Sequence, residues 1–382
     1  MRLIRIFYRV ILLLFKCKFV FSLPDKKKII LFDCDTIEEI KKFFDKTEIF
    51  ILSTRVNRFK KIYINKKIIF YILQNFFKRK IKINYLLSII NCVNPKIIIT
   101  KIDNSPDFHS ISKEVYKKIY CIAVQGAHRG DLLCRPKNET KNFFIPHFFS
   151  FSNYEKKLYR KREAIVKNFY PCGSLTLALA KKYIKKRKIK NTNIYDICLI
   201  SEPHRANGDF AQVKNFADTV GLISVYTHRL CEEENLKLIF CGEGEKNSKI
   251  GKNEKNFYEN YLGKNNFKIF QSPRKRFPSY QKIFQSKLII GHNSTILRES
   301  IGFNKKILYC NFTGSKLIQT PASGLLELRD KSYKEFKKRV LKILSLTNKQ
   351  FFNQINKSRE DIIVSPDKTY KIISDKINFK LT

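Results

Sequence analysis

Short apolar runs, each closed by a polar residue or a glycine, recur along this chain and constrain its fold more than any other feature. Such runs include Lys28–Asp33, Lys96–Ile102 and Tyr120–Val124 in the first half, and Asp196–Ser201 and Leu236–Cys241 in the second. Strands that are apolar on both faces and alternate with helical patterns are typical of parallel sheets covered on both sides. The sequence therefore predicts an α/β chain of two doubly wound, Rossmann-like domains that face each other across a cleft.

The 382 residues are enough for two domains of ordinary size. Residues 24–190 are predicted to form the N-terminal domain, within which Phe143–Tyr154 reads as an aromatic, irregular stretch. Residues 191–330 begin a second series of strands and helices and are predicted to form the second domain. Residues 331–382 are predicted to be C-terminal helices.

The first 23 residues have a basic amphipathic pattern. At about 100° per residue, Arg2, Arg5, Arg9 and Lys16 share one narrow face, and apolar residues cover the other. The charges are too many for a membrane span, and they do not precede an uninterrupted apolar core as in an export signal. We predict that residues 1–23 lie on an anionic membrane surface, the alternative being a helix packed on the protein itself.

The formal net charge of +43 would ordinarily indicate a nucleic-acid partner. However, the lysines are spread along the whole chain, Ile, Asn and Phe are abundant and Trp is absent, which is typical of a very AT-rich genome. No zinc-finger, RNP-type or basic-zipper pattern occurs, so we expect no nucleic-acid partner. The 10 cysteines include no CxxC pair, which predicts a reducing compartment and no metal site.

Polar side chains close the predicted strands of the first half. Asp33 and Asp103 each follow a strand, and the loop His128–Asp131 follows another. The carboxyl ends of parallel strands meet at one edge of the sheet, where ligands bind. His128 is the best candidate for a general base because histidine titrates near neutrality, and Asp103 is a second candidate that could instead cap a helix.

The segment Ser286–Cys310 contains a strand, a polar turn, a short helix and a second strand. Asn293, Ser294 and Thr295 lie where the helix would begin, and free N–H groups at a helix start attract phosphate. An ordinary N-cap would select the same residue types. Glu299, one turn later on the same face, could accept hydrogen bonds from a ribose or pair with a lysine.

Two further motifs of the second half lie at strand ends. Gly242 and Gly244 follow a strand and would let the backbone approach a diphosphate closely, although a tight strand–helix turn selects the same residues. His204 and Arg205 end the first strand of this domain and could reach an anionic substrate in the cleft.

These segments resemble known proteins. LKLIFCGEGE and YQKIFQSKLIIGHNSTILRESIGFNKKILYC resemble the nucleotide-binding domain of GT-B glycosyltransferases. NPKIIITKIDNSPDFHSISK and IAVQGAHRGD resemble bacterial surface-carbohydrate biosynthesis proteins of the capsule and O-antigen type. The resemblance covers most of the chain from Lys26 to about Phe312 and implies a GT-B arrangement with the first domain on the acceptor side.

The resemblance implies transfer of a sugar, or of a related phospho-polyol of the CDP-glycerol type or a nonulosonate, from a nucleotide donor. The acceptor would be lipid-linked or a polysaccharide. By analogy Ser294 and Thr295 would hold the donor phosphate and Glu299 the ribose, with Gly242 and Gly244 lining the same cleft.

One departure from the family bears on the mechanism. Retaining members usually carry two glutamates around this helix start, and His292–Asn293 stands where the earlier one would be. We therefore expect an inverting reaction. His128 or Asp103 would deprotonate the acceptor, and Arg205 or helix N–H groups would stabilise the leaving phosphate.

By analogy with these enzymes we expect metal-independent chemistry without a cofactor, the nucleotide-sugar being a substrate. We expect a cytoplasmic protein, peripheral on the inner face of the bacterial plasma membrane. One alternative is a UDP-sugar epimerase of the same architecture, which would need no membrane segment. The other is a non-catalytic, membrane-associated scaffold.

Overall fold

The structure is a computed structural model that describes residues 17–34, 40, 43–54, 61–208, 210–264, 266–271 and 277–381. The predicted membrane-surface segment, residues 1–23, lies outside the described residues except for 17–23. Among the helices of the described part, none is both long and apolar enough to cross a membrane.

The first half contains a six-stranded parallel sheet and a separate parallel pair. The strands in chain order are β1 (Lys18–Val20), β2 (Ile29–Phe32), β3 (Ile49–Leu52), β4 (Lys61–Tyr63), β5 (Ile97–Thr100), β6 (Tyr120–Val124), β7 (Phe144–Ser150) and β8 (Ile165–Pro171). β1 pairs with β4, and the sheet has the order β3-β2-β5-β6-β7-β8. Every residue of β2 and β5 is buried, because both faces of the sheet are covered.

Strand β7 shows that the prediction of an irregular stretch at Phe143–Tyr154 was wrong. Phe144–Ser150 pairs in parallel with β6 on one side and β8 on the other. Six of its seven residues are buried, so its aromatic side chains belong to the core on both faces of the sheet. The alternation of apolar and polar residues that marks a half-exposed strand is therefore missing.

Helices connect these strands. They are α1 (Lys66–Gln74), α2 (Ile81–Val93), α3 (Pro106–Val115), α4 (Lys137–Thr140), α5 (Tyr154–Lys161) and α6 (Leu175–Lys186). Two of them begin as the sequence dictates. Ser105 caps α3 by accepting from the Phe108 N–H, with Pro106 in the first turn, and Ser174 caps α6 by accepting from the Leu177 N–H.

The second half contains another six-stranded parallel sheet. Its strands are β9 (Tyr195–Ile200), β10 (Leu238–Cys241), β11 (Ile269–Phe270), β12 (Ser286–Gly291), β13 (Lys306–Cys310) and β14 (Glu327–Leu328). The order β11-β10-β9-β12-β13-β14 is that of a Rossmann fold, and it reverses between β9 and β12. The predicted architecture of two parallel-sheet, Rossmann-like units is confirmed.

The remaining helices complete the second unit and join the two. They are α7 (Phe216–Glu233), α8 (Lys249–Leu262), α9 (Pro278–Phe284), α10 (Thr295–Ser300), α11 (Tyr333–Ser345), α12 (Asn348–Gln354), α13 (Asn356–Ile362) and α14 (Pro366–Leu381). Phe336 and Val340 of α11 belong to the core of the second unit. Ile373 and Ile377 of α14 belong to the core of the first, so the C-terminal helix returns to the N-terminal half.

Candidate active site

The reversal point of the second sheet is held together by a carboxylate. Glu202 follows β9, and its Oε2 accepts from the backbone N–H groups of His292 at 3.1 Å and Asn293 at 2.8 Å, just after β12. Burial raises the pKa of Glu202, and the nearby charge of Arg205 opposes that effect. Glu202 was not among the predicted site residues, although an acid at a strand end was the available signal.

His128 brings the two units into contact. Its backbone N–H donates to Thr295 Oγ1 at 2.8 Å, and Arg298 Nη1 donates to its Nδ1 at 3.3 Å. Thr295 and Arg298 both lie on α10 of the second unit, whereas His128 follows β6 of the first. The loop predicted at the edge of the first sheet therefore faces the predicted phosphate-binding segment, as expected for a cleft site.

The contact with Arg298 fixes the protonation pattern of His128. A guanidinium group only donates hydrogen bonds, so Nδ1 of His128 accepts and the ring hydrogen lies on Nε2. Burial, followed by the positive charges of Arg298, Arg205 and Arg129, holds the pKa of His128 well below its usual range. The imidazole is therefore a neutral donor at Nε2. This geometry does not favour the predicted role as a general base, because proton uptake would occur at Nδ1 against a positive charge.

Nε2 of His128 lies opposite the side chain of Asn293. Both side chains are buried, and the Asn293 side chain acts as a hydrogen-bond partner of the His128 ring, although the angles between Nε2 and the amide depart from those of an ordinary hydrogen bond. Gly130 borders the same space: a Cβ there would lie 2.9 Å from His128 Nε2 and 2.7 Å from the amide nitrogen of Asn293. Only glycine leaves these groups room, a requirement that the sequence analysis did not identify.

Asp103, the second predicted base, holds an arginine. Its Oδ2 accepts from Arg129 Nε at 2.6 Å and from the Tyr159 hydroxyl at 2.8 Å, while Oδ1 accepts from the Gly126 N–H at 3.2 Å and pairs with Arg129 Nη2. The carboxylate is fully buried. These contacts suit Asp103 to orienting Arg129 beside His128 better than to taking a proton from an acceptor.

Arg205 adds positive charge to this region. It is largely buried, and its Nε lies 3.9 Å from Glu243 Oε2, the oxygen that His204 Nε2 approaches at 2.8 Å. Arg205 and Arg129 both act electrostatically on His128. The cleft therefore combines cationic side chains with a neutral imidazole donor, which suits an anion such as a phosphate.

The glycine turn after β10 is organised by Glu254. Its carboxylate accepts from the N–H groups of Glu243 and Gly244, each at 2.9 Å. A Cβ at Gly244 would lie 2.2 Å from the backbone nitrogen of Gly251, and one at Gly242 would lie 3.0 Å from Glu254 Oε2. Close packing of α8 thus accounts for Gly244, and the contact of both glycines with a diphosphate stays a prediction.

The helix α10 carries two further side chains of note. Glu299 is buried and accepts from the hydroxyls of Ser174, across the interface, and Tyr280, so binding a ribose would require it to exchange partners. Ser294 is the N-cap residue, but its hydroxyl makes no capping hydrogen bond. Of the two residues predicted to hold phosphate, Thr295 accepts from the His128 backbone, and the Ser294 hydroxyl makes no capping bond, so contact of either residue with phosphate stays a prediction.

A cavity of about 260 Å³ opens where the two units meet beyond the His128 loop. It is lined by Cys134, Arg135, Pro136 and Glu139 from the first unit and by Gly208, Ala211 and Gln212 from the second. The opening is therefore lined by hydrogen-bond donors and acceptors from both units.

Within the residues that the structure describes, no group of three or more His, Cys, Asp or Glu side chains is arranged to hold a metal ion.

A comparison with protein families identifies the chain. The family described as "putative O-antigen biosynthesis protein" matches residues 123–323, which is more than half of the 382 residues. The chain belongs to this family. The match includes the His128 loop, the Glu202 segment and α10, so both sides of the cleft lie within the part that defines this O-antigen biosynthesis family. No curated protein matches the sequence.

Solved structures similar to this family member have the GT-B fold. MnaA of S. aureus, solved with UDP, has a TM-score of 0.56 at 12% identity, covering 93% of this chain and 97% of that one. UDP-GlcNAc 2-epimerase from Neisseria meningitidis, bound to UDP-GlcNAc, has a TM-score of 0.52 at 12% identity, with 92% and 99% covered. A variant of the wall teichoic acid polymerase TagF has a TM-score of 0.52 at 10% identity, with 93% and 89% covered.

Buried histidines make a testable contribution to acid sensitivity. Burial lowers the pKa of His109 and that of His292 from 6.5 to about 4. Between these values the unfolded chain binds more protons than the folded one, so stability is lost as the pH falls from about 6.5 towards 4. The expected slope is about 1.4 kcal/mol per pH unit for each histidine.

The variant His109→Gln isolates one of these contributions. His109 stacks on Phe143 at 4.3 Å between ring centroids, outside the cleft contacts of His128. Urea unfolding between about pH 7 and pH 5 gives the free energy of unfolding as a function of pH. For the variant, the slope should correspond to about one fewer proton taken up on unfolding than for the wild type. An unchanged pH dependence would mean that His109 is not buried in its neutral form.

Proposed function

We propose that the protein is a glycosyltransferase that moves a sugar from a nucleotide donor to a lipid-linked or polysaccharide acceptor. The observation that carries this proposal is the meeting of His128 Nε2 and the Asn293 amide where the two units touch, both buried and beside the positive charges of Arg129 and Arg205. Positive side chains around a neutral imidazole donor suit the phosphate groups of a nucleotide donor.

The proposed reaction is a single displacement with inversion. An acceptor hydroxyl oxygen forms a bond to the anomeric carbon and gives up its proton to solvent, while the bond from that carbon to the phosphate oxygen of the donor breaks and negative charge collects on the leaving nucleoside diphosphate. His128 donates a hydrogen bond from Nε2 to that charge, and Arg205 and Arg129 stabilise it electrostatically. Ser294 binds the donor phosphate at the start of α10, and the nucleotide-sugar is a substrate, so no further cofactor takes part.

Nucleotide binding tests the donor site directly. A thermal-shift panel of UDP, GDP, CDP, CMP and dTDP should contain at least one nucleotide that raises the melting temperature, because a ligand of the folded state stabilises it. The variant Ser294→Ala should be as stable as the wild type, because the Ser294 hydroxyl makes no capping hydrogen bond at the start of α10. It should weaken binding of that nucleotide about tenfold or more, the loss expected for one hydrogen bond to a charged group.

The matched control is Ser110→Ala on α3, whose hydroxyl bonds only the preceding turn at Pro106. It should leave the nucleotide affinity unchanged. Equal affinity of the wild type and Ser294→Ala would remove Ser294 from the donor site.

We also propose that the protein acts on the inner face of the bacterial plasma membrane, bound in part through residues 1–23. The described end of this segment supports a position beside the first unit, because β1 pairs with β4. A UDP-sugar epimerase is the second candidate. Its support is the fold similarity to epimerases described above, and the reaction products distinguish it from a transferase.

A further inference from the structure

The helix α1 and the turn after it expose large apolar side chains. Phe77 is 98% exposed, Leu73 64% and Phe70 61%, and Ile69, Phe76 and Ile81 are each at least 45% exposed. We refer to these six residues as the α1 surface. Burying one such side chain away from water is worth about 1.5–3 kcal/mol, so this surface is unfavourable in water unless something covers it.

The α1 surface is a continuous face and not a scatter of side chains. At about 100° per residue Ile69, Phe70 and Leu73 fall within one arc of the helix, and Ile68 on the opposite side is buried in the core of the first unit. Phe76 and Phe77 extend that face, with their rings in edge contact at 5.2 Å between centroids. The inner side of α1 therefore anchors it, and its outer side presents aromatic and aliphatic groups to the surroundings.

The charge around this face identifies the kind of partner. No Asp or Glu occurs between residues 49 and 102, whereas the segment 61–82 contains seven Lys or Arg residues. Arg79 pairs with Glu114 and Lys82 with Asp107. The remaining five are the exposed residues Lys61, Lys66, Lys67, Lys78 and Lys80. Aromatic side chains surrounded by lysines complement a bilayer surface with anionic headgroups, where the rings enter the interface and the lysines contact phosphate.

The N-terminal segment reaches the protein next to this face. Asn65, the N-cap residue of α1, accepts from the Lys67 N–H at 3.1 Å and donates to the carbonyl of Phe21 at 3.0 Å. Phe21 is itself 71% exposed. Residues predicted from sequence to lie on a membrane thus connect directly to the start of α1, so both elements can meet one bilayer.

We propose that the α1 surface inserts into the headgroup layer of an anionic phospholipid bilayer, as a second membrane contact independent of residues 1–16. It would place the first unit, on the acceptor side of the cleft, against the membrane. This membrane contact is independent of the transfer reaction, because its side chains lie outside the cleft.

The absence of tryptophan from the chain allows a direct test. The full-length variant Phe77→Trp carries a single indole at the most exposed position of the α1 surface. With vesicles of phosphatidylcholine and phosphatidylglycerol its emission should shift to the blue and be quenched by brominated lipid. The control Ile194→Trp, at a residue that is 45% exposed just before β9, should show neither change.

A second measurement avoids introducing an indole into the surface. Replacing Phe70, Leu73 and Phe77 together by Asn should weaken co-sedimentation with the anionic vesicles about tenfold or more. Ile194→Asn should leave it unchanged. Unshifted Phe77→Trp emission on protein that sediments with vesicles would overturn the proposal, and so would a blue shift that rises with protein concentration in the absence of lipid.

Discussion

Replacing Glu155 by Gln is expected to lower the free energy of unfolding by about 3–5 kcal/mol, the typical cost of breaking a buried ion pair by removing one partner. Arg298 of α10 donates to both carboxylate oxygens of Glu155 on α5, and both side chains are fully buried. Ser152 Oγ also accepts from this guanidinium, at 2.9 Å. The substitution would leave a positive charge buried between the two units with only neutral acceptors.

Urea unfolding measures this effect, with Glu114→Gln as the matched control. Glu114 pairs with Arg79 at the surface, where each side chain keeps about a quarter to a third of its exposure. Removal of such a pair should cost less than about 1 kcal/mol. Changing Arg298 and Glu155 together to Met should recover part of the loss, because no charge would then remain buried. A Glu155→Gln variant as stable as the wild type would contradict the structure of the interface.

The second large effect is expected at His128. If its neutral imidazole donates from Nε2 to the leaving diphosphate, His128→Ala should reduce turnover about 10²–10³-fold, the range measured for loss of one donor to a developing charge. His128→Gln should retain at least about tenfold more activity than His128→Ala, because the Gln amide places an N–H near the position of Nε2.

Initial rates with the nucleotide-sugar identified by the binding panel make this comparison. The dependence of the initial rate on pH adds an independent readout. The pKa of His128 lies well below its usual range, so this residue should contribute no titration near neutrality. A general base would give a different pattern, with equal losses in the Gln and Ala variants, since an amide cannot accept the proton.

Much of the fold followed from local patterns. Buried parallel strands such as Ile97–Thr100 have no polar face, so short apolar runs marked the central strands of both sheets. β7 was missed because its aromatic residues serve the core from both faces. The turn at Gly242 and Gly244 illustrates the opposite problem, since a glycine needed for helix packing has the same sequence pattern as one needed for a ligand.

The sequence selected several residues that the fold brings together, and their functional roles stay predictions. His128, Asn293 and Thr295 were selected from strand ends and a helix start, and the structure brings them together. The tautomer of His128 depends on Arg298, 170 residues later, and no local pattern contains that information. Asp103 likewise looked like a base because its partners Arg129 and Tyr159 are brought to it only by the fold.

The products formed from a labelled nucleotide-sugar test the central claim most directly. The protein would be incubated with the donor that the binding panel identifies. One sample would also contain a lipid and polysaccharide extract of the cells that produce the protein, and a second sample would not. A glycosyltransferase with the proposed site transfers the labelled sugar to the extract and releases nucleotide in proportion, and His128→Ala loses this transfer. Label recovered without any acceptor as the epimeric sugar, whether free or still attached to the nucleotide, would contradict the proposal and indicate an epimerase.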